Sequence, residues 1–308
     1  MTAKTLDGQA LADRIKAELA VRVEQLARPG VLSEQGRPPG LGTVLVGDDG
    51  PSARYVAGKH QDCADVGMAS VHRGMPMGTT QDELEAVIAE MNADDRVDAF
   101  ILQYPVPAGL DFEAAMLVMS PAKDADGLHP VNLGKLVMGE EAPLPCTPNG
   151  ILALLAEHGV ELAGRHLVIV GRGLTIGRPL ALLAALKREG ANAAVTVVHT
   201  GVEDLGSFTR TADVIVAAAG APGVITADMV RPGSAVVAAG VTMAGRKVVS
   251  DVADEVAEVA GWLSPRIGGV GPRPGPCCWS IRSRLRPAPS ASPALRATGS
   301  LGSHGPWY

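Results

Sequence analysis

The stretch that decides the fold is His166-Leu167-Val168-Ile169-Val170-Gly171-Arg172-Gly173-Leu174-Thr175-Ile176-Gly177-Arg178-Pro179. An apolar, β-branched run stops at a glycine-rich turn, and a helix-forming run, Leu180 to Glu189, follows. Strand, turn and helix in that order aim backbone N–H groups at a pyrophosphate on a helix N-terminus. The glycines permit close backbone approach and positive φ. Their spacing, G-x-G-x-x-x-G, is one residue longer than the usual dinucleotide fingerprint. A tight strand-to-helix turn without a ligand is the competing reading of the same residues.

The sequence on either side sharpens this. A second apolar run, Ala194 to Thr200, follows the helix. In an NAD site that strand ends in an acid for the ribose 2′-hydroxyl. Here it ends His199-Thr200-Gly201, and Arg172 and Arg178 stand in the phosphate turn. A cationic pocket without an acid suits a 2′-phosphate, so the residues favour NADP over NAD. Two further runs, Asp213 to Gly220 and Ser234 to Val241, continue the strand–helix alternation of a parallel sheet.

At 308 residues the chain has room for two domains. Its 46% hydrophobic and 19% charged residues describe a globular protein. A net charge of −6 gives no support for a nucleic-acid partner. The N-terminal residues lack a signal-peptide core, and no apolar run reaches the roughly 18–20 residues that span a bilayer. Up to residue 272 the cysteines are Cys63 and Cys146, which fits a reducing cytoplasm and offers no metal-ligand spacing.

The first half also alternates strand and helix. Asp7 to Arg28 reads as an amphipathic helix, and Leu41 to Gly47 as a strand. A helix then runs from Pro51 to about Val66 and ends at Gly67. It carries Tyr55, Lys59 and Cys63 on one face. A helical lysine is usually a solvated charge. A phenol one turn away, able to hold and polarise an amine, adds only a little weight to acid–base work, and the solvated charge stays the favoured reading of these residues alone. Cys63 reads as a small core residue. Phe100 to Gln103 is a strand whose terminal Gln103 stands where α/β proteins place ligands, with an ordinary strand-end amide as the equal alternative. Pro121 to Pro130 reads as a rigid loop, with Asp124 and Asp126 either solvated or functional. Pro145-Cys146-Thr147-Pro148 starts the helix that leads into the nucleotide domain.

Six ordered motifs over residues 1–272 resemble one family, the bifunctional methylenetetrahydrofolate dehydrogenase/methenyltetrahydrofolate cyclohydrolases. They are Tyr55 to Cys63 (Y-V-x-x-K-x-x-x-C), Leu102 to Pro107, Pro121 to Gly127 (P-x-K-D-x-D-G), Pro145 to Gly150, Gly171 to Pro179, and Gly268 to Pro272 (G-G-V-G-P). The resemblance implies an α/β fold. Residues 1–148 would form a folate-binding catalytic domain and 149–272 a Rossmann-like NADP-binding domain, with a cleft between them. It implies oxidation of 5,10-methylene-tetrahydrofolate by NADP⁺, then hydrolysis of the methenyl product to 10-formyl-tetrahydrofolate. Lys59 would be the principal catalytic residue, moving protons during ring opening. Tyr55 would stack on the pterin, Gln103 would orient Lys59, and Asp126 would bind the pterin's amino and ring N–H groups. Ser52, Leu102, Gly271 and Pro272 would complete the substrate site. Gly171, Arg172, Gly173, Ile176, Gly177, Arg178, Pro179, His199, Thr200, Ala219, Gly220 and Val241 would hold NADP. The resemblance also implies a cytoplasmic homodimer that serves one-carbon metabolism and purine biosynthesis.

Four places depart from the family pattern. Gly173 stands where many members have Ser, Val237-Ala238-Ala239-Gly240 replaces I-D-V-G, and Ile267 replaces a proline. The missing acid at Ala238 leaves open a monofunctional cyclohydrolase. The fourth departure leaves open a catalytically silent nucleotide-binding protein. After Pro272 the family continues as M-T-x-A-x-L-L-x-N-T, whereas this chain has a Pro/Arg/Ser/Ala-rich tail from Arg273 to Tyr308. Cys277-Cys278-Trp279 must be encoded TGY-TGY-TGG, which reads Leu-Leu in the frame starting at each third base. The neighbouring codons permit T-R-A-M-L-L-V-N-T in that frame. The tail is therefore read as the product of a frameshift near codon 272 or 273, without a stable fold. A natural disordered extension has the same composition. The gene's nucleotide sequence decides between them. If the shift is real, a frame-restored chain is expected to unfold at a higher temperature than this one; equal thermal melts would defeat that stability prediction.

Overall fold

The computed structural model describes residues 2–47, 50–244 and 247–270. Gly271, Pro272 and the tail at 273–308 lie outside the described residues. The chain is α/β, with two parallel sheets, each flanked by helices.

The first sheet has strand order β3-β2-β4: β2 (Gly40–Val46), β3 (Ala69–Met75) and β4 (Ala99–Leu102). Ahead of it come β1 (Lys4–Thr5) and α1 (Gly8–Leu26); α2 (Gly50–Val66) links β2 to β3, and α3 (Gln81–Ala93) links β3 to β4. Asp7 caps α1 by accepting from the N–H groups of Gln9 and Ala10. Leu11, Ile15, Leu19 and Val23 repeat every fourth residue and are all buried. Gly67 ends α2 with φ +79°, and Thr80 and Glu83 form a capping box on α3. The sequence reading placed α1, β2 and α2 within a residue or two of these bounds.

Three helices carry the chain onward: α4 (Phe112–Val118), α5 (Pro130–Met138) and α6 (Cys146–Glu157). The second sheet is built from β5 (His166–Val170), β6 (Ala194–Val198), β7 (Val214–Ala217) and β8 (Ala235–Ala238), with α7 (Gly177–Ala185) and α8 (Leu205–Thr209) between strands. β11 (Trp262–Leu263) and β1 complete it, and β9 (Val241–Ala244) with β10 (Lys247–Ser250) form a separate hairpin. The order is β1-β11-β8-β7-β5-β6, parallel throughout.

The apolar runs alternate between two cores, as doubly covered parallel strands must. Leu167, Ile169, Val214, Val216, Ala235 and Val237 face a cluster that reaches through α1 and α6 to Leu41 and Ile101 of the first sheet. Val168, Val170, Ile215, Ala217, Val236 and Ala238 face the opposite side, against Val230, Val252 and Val256. The far face of the first sheet (Val44, Phe100, Leu102) packs on Leu84 and Ile88 of α3 and Met116 of α4.

Three features differ from the sequence reading. The helix after the glycine turn ends at Ala185, not Glu189. Leu186 turns extended and packs against the core, so Lys187-Arg188-Glu189 leave the helix toward water. Val241, read as the end of the fourth strand, begins the separate antiparallel hairpin β9–β10. The first residues pair into the second sheet: Lys4 and Thr5 lie beside Trp262 and Leu263. Two-residue strands carry no periodic signal, so this pairing was not readable.

An ion pair pins α1 to α2. Lys16 Nζ lies 2.6 Å from Asp62 Oδ1 and 2.8 Å from Asp65 Oδ2, and Asp62 is fully buried. Burial pulls the Lys16 pKa down, but the bonds to Asp62 and Asp65 outweigh it and leave the value raised. The contribution of a raised lysine is whole below about pH 10.4 and is lost as pH rises through the folded value. Lys16→Met should deprive Asp62 of its cation and lower the free energy of unfolding at pH 7 by about 3–5 kcal/mol. Denaturant titration measures it; a loss below about 1 kcal/mol would class the pair with exposed ones.

Candidate active site

The lysine of α2 is buried, at 4% exposure, although its side chain is charged and flexible. Its partner is across the strand end: Lys59 Nζ donates to Gln103 Oε1 at 3.1 Å. Gln103 follows β4 directly, and its N–H donates to Val44 O, so the amide is tied to the neighbouring strand. Its Nε2 donates to Tyr104 O at 2.8 Å, which fixes the amide orientation and turns the oxygen to the lysine. Tyr55, one turn before Lys59, is 45% exposed at the rim, and Cys63, one turn after, is in the core. The shared face therefore runs from solvent to interior, with the amine in between. Ser52 is buried on the first turn of α2, and Leu102 is buried, its side chain packed in the core behind β4.

Asp126 reaches the same place from a loop laid beside β4. Phe100 N–H donates to Lys123 O and Ala125 N–H to Phe100 O, so residues 123–125 extend the sheet by one short strand. Asp126 follows directly. Burial pushes its carboxyl above the ordinary range; the Lys59 charge opposes this, and Asp124 adds to it. The four groups Tyr55, Lys59, Gln103 and Asp126 thus gather at the carboxyl ends of β2 and β4.

Asp124 is the residue whose role the sequence left open. It is 1% exposed and solvation is excluded. Its carboxylate accepts from the N–H groups of Asp126 (3.2 Å), Gly127 (2.9 Å) and His129 (2.9 Å) and from Asn132 Nδ2 (2.8 Å). One anion therefore sets the loop that aims Asp126. Gly127 has φ +70°, and a Cβ there would meet Leu144 C at 2.4 Å, so the loop also needs its glycine. Cys146 closes the far side, its N–H donating to Asp126 O and its thiol to Ala125 O.

The second group of residues stands at the carboxyl ends of β5, β6, β7 and β8. Gly171 has φ +132°, and a Cβ there would come 2.1 Å from Ala218 O. A Cβ on Gly177 would come 2.1 Å from Gly171 O. Both glycines are obligatory, and they leave a cradle of bare backbone. Gly173 has open space around it, so a serine fits there without clash. Among the described residues the amides of Leu174, Thr175 and Ile176 donate to no acceptor. Pro179 is buried in the first turn of α7, Arg172 is exposed beside it, and Arg178 Nε donates to Arg172 O at 2.9 Å. His199 and Thr200 follow β6; His199 Nδ1 accepts from Gly201 N–H, and Thr200 is exposed. Ala219 and Gly220 follow β7, and Val241 is 41% exposed on β9. A cradle of this kind fits a dinucleotide pyrophosphate, with cations and no acid toward the second strand.

The loop that leads to Gly271 and Pro272 is held on the first turn of α1. Gly268 O accepts from the N–H groups of Gly8 (2.8 Å) and Gln9 (3.1 Å). Ala238 is buried on the face of β8 turned to the core, and its N–H donates to Ser264 Oγ. A cavity of about 310 Å³ lined by Glu161, Arg165, Asp213, Arg231 and Trp262 opens at the opposite, amino end of the second sheet, away from all these residues. Among the described residues no group of His, Cys, Asp or Glu is placed to hold a metal, and no helix is long and apolar enough to cross a membrane. Asp124→Asn would replace an acceptor by a donor facing buried N–H groups. It should cost about 1–3 kcal/mol for each donor orphaned, read as a lower denaturant midpoint.

Comparison with known proteins agrees with this geometry. Residues 6–126 match the catalytic domain of the tetrahydrofolate dehydrogenase/cyclohydrolases, and residues 145–274 match the NAD(P)-binding domain of the same family. The bifunctional protein FolD of Syntrophotalea carbinolica is 51% identical over 272 residues, covering 88% of this chain and 92% of that protein. The crystal structure of the bifunctional FolD dehydrogenase/cyclohydrolase from Campylobacter jejuni superposes with a TM-score of 0.83 at 34% identity, over 92% of this chain and 97% of that one. The enzyme from Trypanosoma brucei, solved with NADP cofactor and inhibitor, gives 0.84 at 33% identity, over 92% and 97%. The chain belongs to the tetrahydrofolate dehydrogenase/cyclohydrolase family.

Proposed function

We infer that the chain is a bifunctional one-carbon folate enzyme that uses NADP. It oxidises 5,10-methylene-tetrahydrofolate to the 5,10-methenyl form and hydrolyses that product to 10-formyl-tetrahydrofolate. The observation that carries the chemistry is a buried lysine amine bonded to Gln103, beside a carboxyl whose ionisation is held back by burial. Family membership and the match to both domains support the pairing of the two reactions. Nothing in the described residues favours a monofunctional or silent protein.

Residues 1–148 supply the folate side and 149–272 the cofactor side. Gly171 and Gly177 give the pyrophosphate a backbone cradle, with Gly173, Ile176 and Pro179 shaping the turn around it. Arg172, Arg178, His199 and Thr200 face the 2′-phosphate end. Ala219, Gly220 and Val241 border the nicotinamide end. When bound, the nicotinamide ring supplies the hydride acceptor. Tyr55 stacks on the pterin at the rim, and Asp126 accepts from its amino and ring N–H groups. Ser52 borders the remainder of the folate site, and Leu102 can contribute only its main chain, since its side chain packs in the core; Gly271 and Pro272, outside the described residues, are assigned to the site by the family likeness alone. Gln103 keeps the Lys59 amine pointed at the one-carbon bridge. In the hydrolytic step a water oxygen bonds to the cationic methenyl carbon and the bond from that carbon to the ring nitrogen breaks; of the water's two protons one passes through Lys59 to the released ring nitrogen and the other leaves to solvent. A cytoplasmic homodimer feeding purine biosynthesis accompanies this reading, on the strength of the family likeness.

Two assays test it: NADPH formed from methylene-tetrahydrofolate, and loss of methenyl absorbance without cofactor. The wild-type chain should give both. Lys59→Met should cut hydrolysis by roughly 10²–10⁴-fold with the fold kept, as removal of an acid–base group does. Full hydrolysis by that variant would refute the assigned role.

A further inference from the structure

Asp251 is a further buried carboxylate, outside the folate site, and it is fully enclosed. Its Oδ2 accepts from the N–H groups of Ala219 (2.7 Å) and Gly220 (2.9 Å), the residues that follow β7. Its own N–H donates to Gly240 O, and its carbonyl accepts from Ile225 N–H. Gly240 follows β8 and lies directly on the side chain: a Cβ there would sit 1.9 Å from Oδ2. Thr242 Oγ1 donates to Gly220 O, tying β9 to the same loop. One side chain therefore joins the loop after β7, the loop after β8 and the start of the hairpin that carries Val241. Its Oδ1 is buried with no hydrogen-bond partner among the described residues. Burial pushes the carboxyl up, against the pull of the amides of Ala219, Gly220 and Ala221.

The direction of the cofactor across the sheet locates this junction. The ribose of the adenosine half belongs at the end of the second strand, here β6, and the pyrophosphate at the first turn, after β5. In the order β6-β5-β7-β8 the other half of the dinucleotide must continue over the ends of β7 and β8. We propose that Asp251 is a positioning residue for the nicotinamide half of the cofactor, acting through Ala219, Gly220 and Gly240-Val241, with no part in adenosine binding or in hydrolysis. The proposal rests on the NADP-dependent reading above.

The test separates halves of the ligand and halves of the activity. Calorimetric titration with NADP and with 2′,5′-ADP, which lacks the nicotinamide riboside, reads binding directly. Asp251→Asn keeps the shape but weakens the acceptor, and should raise the Kd of NADP by about tenfold, roughly one hydrogen bond to a charged group. The Kd of 2′,5′-ADP and cofactor-free hydrolysis of methenyl-tetrahydrofolate should stay within about twofold. Gly240→Ala, which displaces the same carboxylate, should give the same selective loss if Asp251→Asn folds poorly. Parallel weakening of both ligands, a matching fall in hydrolysis, or unchanged NADP binding would each overturn the proposal. Wild-type protein that binds no NADP would overturn the functional reading as well, whereas binding that is equal in wild type and both variants sinks this inference alone.

Discussion

A parallel strand covered on both faces can meet a ligand only at its ends, because every side chain along its length is already packed. That constraint governs this molecule. Leu167 to Val170 send alternate side chains into two cores, and none is left for chemistry. Function is pushed to the carboxyl rims, where loops replace strands and the backbone exposes unpaired amides. Gln103, the glycine turn after Val170, and the short loops after Ala217 and Ala238 all stand at such rims. The tetrahydrofolate site and the dinucleotide cradle belong to different sheets but obey one rule.

Loops at a rim have no ladder to hold them, and this protein holds two of them with buried carboxylates. Asp124 gathers three amides and so aims Asp126; Asp251 gathers two and joins the loops after β7 and β8. A charge-assisted bond to an N–H is stronger than a neutral one, and several on one anion resist displacement together. Lys59 is held differently. Its amine is fixed by an amide that is itself fixed by a main-chain oxygen, so orientation passes from Tyr104 to Gln103 to Lys59.

Much of this was legible in the sequence, for physical reasons. The run from His166 to Pro179 announces strand, turn and helix because its apolar residues, glycines and proline act locally. Tyr55, Lys59 and Cys63 fall on one face through helical geometry alone. The positions of Asp124 and Asp251 were not legible as organisers, because their partners are amides of loops whose paths depend on tertiary contacts. Asp124 offered a weak signal, a second acid two residues before Asp126 between prolines. Asp251 offered none. The early end of α7 escaped because the burial of Leu186 decides it, and helix propensity favours continuing.

The pairing of Lys4 and Thr5 with β11 means that, among the described residues, the polypeptide passes between its two sheets twice, once before α1 and once near α6. A single connection would let one lobe swivel freely on the other. Two separated tethers act like the pair of pins in a door hinge. They oppose twisting and sliding, and the core shared by Leu41, Ile101, Leu167 and Ile169 adds its own resistance.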